Sequence, residues 1–201
     1  MKLAVIKYNA GNVQSVTYAL NRLGIEPVLT DNPEEILSAD KVIFPGVGEA
    51  STAMNFLKEK GLDLLIPQIK QPTLGVCLGL QLMCKHSEEN DTDCLGIFDI
   101  QVKRFEQQKL DTNGLVFKVP QMGWNGIYDL ETNLYKGLKE NSYVYYVHSY
   151  YAELSSYTIA KTDYVNTFSA SLHKDNFYAA QFHPEKSGDI GAQILKNFIE
   201  L

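Results

Sequence analysis

Leu74-Gly75-Val76-Cys77-Leu78-Gly79-Leu80-Gln81-Leu82-Met83 is the stretch on which the fold turns. Leu74 to Val76 is a short apolar run suited to a strand buried on both faces, and Leu78 to Met83 continues at once as a helix. Gly75 and Gly79 stand two residues before and two after Cys77, where they allow a sharp strand-to-helix turn. Upstream, the same alternation repeats. Leu3 to Ile6 reads as a first strand, and Val13, Val16, Ala19, Leu20 and Leu23 follow at helical spacing until Gly24 stops them. Pro27 to Thr30 is a second strand, and Asp31-Asn32-Pro33-Glu34-Glu35 has the form of a capped helix start. Val42 to Phe44 is a third strand ended by Pro45-Gly46-Val47-Gly48, after which Ala50, Ala53, Met54 and Leu57 mark a helix closed by Gly61. This βαβα order predicts an α/β fold: an open, mostly parallel central sheet with helices on both faces.

Downstream the patterns become strand-rich. Ile100 to Phe105, Leu115 to Val119, Tyr143 to Val147, Tyr157 to Ala160 and Phe177 to Phe182 are candidate strands, adding antiparallel structure in the second half. His173-Lys174-Asp175-Asn176 is expected to turn a hairpin between Phe168–Leu172 and Tyr178–Ala180. The clustered tyrosines Tyr143, Tyr145, Tyr146, Tyr150 and Tyr151 suit packing across a sheet. Ile190, Ile194, Leu195, Phe198 and Ile199 form one stripe of a last helix. Without repeat, low-complexity segment or linker, residues 1–201 read as one domain.

Composition narrows the function. Hydrophobic residues are 45% of the 201, enough for a sizeable core. A formal net charge of -6 argues against nucleic acid, whose phosphates call for clustered Lys and Arg. The apolar runs are too short to span a bilayer, and the N-terminus enters Leu3-Ala4-Val5-Ile6 without a cleavable signal pattern. Three cysteines, Cys77, Cys84 and Cys94, show no paired metal spacing. A soluble, reduced, cytoplasmic protein is expected.

Cys77 stands where a nucleophile elbow would hold it, exposed at the C-terminal edge of the sheet, and a helix N-terminus favours the thiolate. Cys84 and Cys94 are expected to pack as small hydrophobes. Gln181-Phe182-His183-Pro184-Glu185 supplies a base: residues two apart on an extended segment face the same way, so Glu185 can fix the tautomer of His183. Pro184 is expected to keep that stretch extended and exclude a helix. An isolated His-Pro-Glu is more often a solvated turn, but this one follows an apolar strand. The Leu78 amide is one candidate oxyanion donor by elbow geometry. Pro45-Gly46-Val47-Gly48 could turn a second N–H to the site, although alone it reads as an ordinary strand–helix connection.

The pattern Gly-x-Cys-x-Gly-x-Gln with His183-Pro184-Glu185 about a hundred residues later resembles the class I glutamine amidotransferase family. Gly11-Asn12-Val13-Gln14-Ser15-Val16, Pro120-Gln121-Met122-Gly123-Trp124-Asn125, Tyr145-Tyr146-Val147-His148-Ser149-Tyr150 and His183-Pro184-Glu185-Lys186-Ser187 extend the resemblance to the glutaminase subunits of imidazole glycerol phosphate synthases. The resemblance implies that Cys77 forms a glutamyl thioester, with His183 as acid and base and Glu185 orienting it. It implies Val47 and Leu78 as oxyanion donors after a loop rearrangement, and Gly48, Gln81, Glu89, Ser149 and Tyr150 as the glutamine pocket. It implies Asn12, Trp124, Tyr145 and Lys186 as the face towards a (β/α)8-barrel cyclase in a heterodimer, with no cofactor and no metal. Lys7-Tyr8-Asn9 departs from the acidic residue that usually ends the first strand, while Tyr8, Gly11 and Asn12 are kept. The glutaminase pattern fills the chain, so the ammonia acceptor is expected to be a separate protein. A glutaminase serving another amidation, such as nucleotide-sugar modification, or a non-catalytic module keeping the fold, would share much of this pattern.

Overall fold

The structure is a computed structural model that describes residues 1–8, 13–111 and 114–201. The first half alternates as the periodicity requires. It runs β1 (Leu3–Ile6), α1 (Val13–Arg22), β2 (Val28–Thr30), α2 (Pro33–Leu37), β3 (Lys41–Phe44), α3 (Ala50–Glu59), a single turn α4 (Leu62–Leu65), β4 (Thr73–Val76) and α5 (Leu78–Met83). The capped start at Asn32 forms as read: its side chain accepts from the Glu34 amide at 2.8 Å, with Pro33 in the first turn. Two short strands, β5 (His86–Ser87) and β6 (Thr92–Asp93), follow, then β7 (Gln101–Arg104), β8 (Gln121–Ile127), β9 (Ser142–His148), β10 (Tyr150–Ala152), β11 (Thr158–Asp163), β12 (Thr167–Lys174) and β13 (Phe177–Ala180). A 3-10 turn over Pro184–Lys186 leads into α6 (Gly188–Glu200).

Among the described residues the main sheet has the order β11-β12-β13-β4-β3-β1-β2. From β13 through β2 every pairing is parallel, while β11, β12 and β13 pair antiparallel. β1 shows why its run is unbroken: Ala4 and Ile6 pack into one core and Leu3 and Val5 into the other, so both faces are covered. The sheet's central strand is β4, between β3 and β13, with Phe44 opposite Gly75 and Ala180 opposite Val76. Residues Pro45–Gly48, Cys77 and Gln181–His183 therefore leave three adjacent parallel strands at the same edge. A separate ribbon of β8 and β9 pairs Trp124 with Tyr145 and Met122 with Val147.

Two sequence readings need correction. Leu115 to Val119 forms no strand: among the described residues only Val116 bridges Leu110, Leu115 and Val116 are exposed, and Phe117 and Val119 pack against the core through their side chains without a backbone ladder. The sequence reading also missed β8, the ribbon partner of β9, whose two glycines break the strand composition that would have revealed it. Asn12 lies outside the described residues. No helix among the described residues is long and apolar enough to cross a membrane.

The elbow depends on close approach of α5 to β3. A β-carbon built on Gly79 would collide with the Phe44 carbonyl oxygen, which is backbone and cannot step aside. Gly79→Ala is expected to cost about 1–3 kcal/mol of stability by overpacking, seen as a lower urea midpoint with unchanged slope. A midpoint equal to that of the parent would mean that α5 can shift freely against β3.

Candidate active site

Cys77 has φ 53 and ψ -107, a backbone conformation that non-glycine residues avoid at a cost of about 1–3 kcal/mol. Its amide remains tied to β13 by a 2.7 Å bond to the Ala180 carbonyl, so the strain is held between a ladder bond and the first turn of α5. The thiol is 3.7 Å from the Gln181 amide nitrogen and 3.9 Å from the Val147 carbonyl, at the end of a cavity of about 280 Å³. Cys84 is fully buried and Cys94 partly so, and neither stands at an elbow.

His183 and Glu185 meet, but not along an extended strand. His183 is extended with φ -100 and ψ 96, as a residue before proline should be, and Pro184 then opens the 3-10 turn instead of excluding it. Proline tolerates a first helical position because its missing N–H has no partner there. The turn brings Glu185 Oε1 to 2.8 Å from His183 Nδ1, with both side chains almost wholly buried. Nδ1–H therefore donates to the carboxylate, and Nε2 is left on the side of the thiol with no hydrogen-bond partner among the described residues. Burial lowers the imidazole's pKa, but the neighbouring Cys77 sulfur and then the Glu185 carboxylate outweigh it, and the result is pushed up to about 10. At neutral pH the ring is therefore held in its protonated form.

The candidate oxyanion donor at Leu78 is already bonded. The Leu78 amide donates to the Gly46 carbonyl at 3.3 Å, so the loop's own carbonyl occupies the donor. Buried Tyr8 donates to the Pro45 carbonyl at 2.6 Å and pins the loop's first residue, while Gly48 at its far end has φ 114. Val47 and Gly48 line the cavity together with Gln81, Glu89, Ser149 and Tyr150. Gln81 is already committed, its Nε2 donating to the Tyr150 carbonyl at 2.9 Å and to Gln181 Oε1 at 3.1 Å. It braces the wall more directly than it offers a free group. Glu89 is raised above the usual carboxylate range, chiefly by burial, and accepts from the Ala50 amide at 2.8 Å. Away from the cavity, Trp124 meets Tyr145 edge-on at 6.0 Å, and Lys186 lies 5.9 Å over the same tyrosine. The Tyr145 carbonyl accepts from the His183 amide at 2.9 Å, which joins this patch to the base.

Several residues at the site escaped the sequence reading as functional candidates. Gln181 was legible in principle, since it precedes His183 by two on the strand exit. Glu49 carries a helix-start signature, an acid two and three residues before Ser51 and Thr52. The His148–Gln121 pair had no local signal, because 27 residues separate them.

The whole chain resembles known proteins. Residues 4–201 match the family model described as "Glutamine amidotransferase class-I". "Imidazole glycerol phosphate synthase subunit HisH" of Bacteroides fragilis (strain YCH46) is 60% identical over 201 residues, covering 100% of both chains. The protein of the same name from Photorhabdus laumondii is 44% identical over 203 residues, again covering 100% of each. The crystal structure of a glutamine amidotransferase from Thermotoga maritima superposes with a TM-score of 0.63. It is 16% identical and covers 100% of this chain and 81% of that one, a likeness of fold.

Buried His148 lines the same cavity. Burial above all lowers its pKa from 6.5 to about 4. Its Nδ1 lies 2.7 Å from the Tyr150 carbonyl and its Nε2 3.0 Å from Gln121 Oε1, and the neutral ring, with one N–H, donates to one of these two acceptors. The unfolded chain takes up this proton before the folded one does. Stability held above pH 6.5 should thus fall as pH drops towards 4, by about 3 kcal/mol from this residue. Urea titrations across that range should show the loss, and His148→Gln should flatten it. An equally steep profile in the variant would assign the acid sensitivity to other groups.

Proposed function

The chain belongs to the class-I glutamine amidotransferase family, and from that premise we propose that it hydrolyses glutamine to glutamate and ammonia through Cys77, His183 and Glu185. The observation that carries this reading is the cysteine's strained elbow on the sheet's central strand, with a carboxylate-paired imidazole leaving the neighbouring strand. The Cys77 sulfur adds to the carboxamide carbon, forming the C–S bond as the carbonyl becomes an oxyanion. Collapse breaks the C–N bond, and His183 Nε2 delivers the proton that lets the nitrogen leave as ammonia. The imidazole then takes a proton from water, whose oxygen attacks the thioester, releasing glutamate and restoring the thiol. Glu185 holds the ring's orientation and stabilises its cationic form.

The pocket suits the remainder of glutamine. Glu89, desolvated and beside Glu49, is a fitting partner for the substrate's ammonium group. Gly48, Ser149 and Tyr150 border the same space, with Gln81 bracing the wall. The ammonia serves a (β/α)8-barrel cyclase subunit that makes imidazole glycerol phosphate and an aminoimidazole carboxamide ribonucleotide in histidine biosynthesis. The full-length likeness to proteins named as that synthase's subunit supports this acceptor. The exposed Met122, Trp124 and Tyr143 of the β8–β9 ribbon, with half-buried Tyr145 beside Lys186, support docking there.

Two experiments test this. In the complex with a barrel cyclase, Cys77→Ala should remove glutamine-dependent synthesis while ammonium salts at alkaline pH still support it. Failure of the wild-type chain to bind the cyclase, or to support its reaction, would remove that acceptor. The second concerns gating. Since the Gly46 carbonyl occupies the Leu78 donor, the isolated chain should hydrolyse glutamine slowly, and docking of the ligand-bound cyclase should accelerate it. One missing donor is worth about a hundred- to thousand-fold. An isolated chain running at the rate of the complex would show that the closed loop is no obstacle.

A further inference from the structure

We propose that Glu49 is a positioning residue for glutamine hydrolysis, bridging through Asn90 the two halves of the cavity rim. This rests on the reading of the cavity as the glutamine pocket. One half is the Val47–Gly48 segment, which holds the expected oxyanion donor and runs straight into Glu49. The other is the β5–β6 turn, which carries Glu89 and Asn90. These halves lie about forty residues apart in the chain and are tied side by side. Glu49 Oε1 accepts from the Asn90 amide at 2.7 Å, and Glu89 Oε2 accepts from the Ala50 amide at 2.8 Å.

Glu49 has more donors than a simple cap uses. Its carboxylate takes the Ser51 amide at 2.9 Å, the Thr52 amide at 3.2 Å, both of their hydroxyls and the Asn90 side chain. With so many donors it stays ionised throughout the working pH range. The cap fixes where α3 begins and hence where Val47 and Gly48 end. The bond to Asn90 carries that fixed point across to Glu89. Asn90 suits the junction for a second reason: it sits at φ 52, a left-handed conformation that asparagine tolerates and most side chains do not. The bridge therefore sets the separation between the ammonium partner Glu89 and the donor Val47, which must match the two ends of one bound glutamine.

Asn90→Gly removes the bridging amide while keeping the left-handed turn and leaving the cap intact. In the cyclase complex it should raise the KM for glutamine about tenfold, the scale of one charge-assisted hydrogen bond. Its ammonium-dependent synthesis should stay at the parental value, and its thermal midpoint should fall less than that of Glu49→Ala, which also loses the cap. Glu49→Ala should raise KM to a similar degree and lower the thermal midpoint as well. Ser51→Ala, which touches only the cap, should lower the midpoint without moving KM. Because both variants break one bridge, Glu49→Ala combined with Asn90→Gly should have no higher a KM than Glu49→Ala alone. A parental KM in Asn90→Gly, with KM and stability lost together in Glu49→Ala, would make Glu49 a helix cap only and overturn the proposal. If the parent complex itself hydrolyses no glutamine, the reading of the pocket fails and the bridge has nothing to position.

Discussion

The parallel ladder joining β3, β4 and β13 is the constraint on which the rest of the structure depends. Parallel strands deliver their C-terminal ends to one edge, and register decides how near those ends come. With Phe44 opposite Gly75 and Ala180 opposite Val76, the loop carbonyl and the imidazole leave the strands on either side of the one that carries the thiol, each one strand spacing from it. A slip of one residue would turn Cys77 from the site into the opposite core. Burial on both faces prevents that slip, since every residue of β1, β3 and β4 is buried and each face has its own core to fill.

That rigid edge carries parts that differ in freedom. Cys77 is locked by its amide bond to Ala180 and by Gly79 packed against Phe44. His183 is held by its own backbone through the Tyr145 carbonyl and the Ser187 hydroxyl, which donates to the His183 carbonyl at 2.6 Å. The loop from Pro45 to Gly48 is pinned at its ends, by Tyr8 at one and by the Glu49 cap at the other, while its middle rests on Leu78 through a single 3.3 Å bond. A segment clamped at both ends with one weak bond between is suited to two discrete positions, the requirement for a switch biased by a second site.

The ribbon of β8 and β9 connects the exposed face to the chemistry. Its outer side bears Trp124 and Tyr145, and its inner side bears Tyr146 and His148 within the aromatic cluster around Phe105 and Phe168. The backbone of Tyr145 bonds His183 on one side and the Ser187 hydroxyl on the other. The exposed aromatic face is thus one residue's thickness from the imidazole of His183.

Some of this was written in the chain itself. Short apolar runs alternating with helical stripes required a parallel sheet buried on both faces, because nothing else covers such strands. Glycines two either side of Cys77 required a sharp turn there, and a His-Pro-Glu following an apolar strand put an imidazole at a strand end. These are local properties, set by side-chain volume and backbone freedom within a few residues. Contacts between distant segments had no such signal. That β13 lies beside β4, that β8 pairs with β9 despite its glycines, and that Glu185 reaches His183 through a 3-10 turn depend on which surfaces the folded chain brings together. The same holds for the Gly46 carbonyl on the Leu78 amide and for Glu49 on Asn90. Sequence determined which groups could do chemistry, and tertiary packing alone decided their distances, because hydrogen bonds form between neighbours in space and not in the chain.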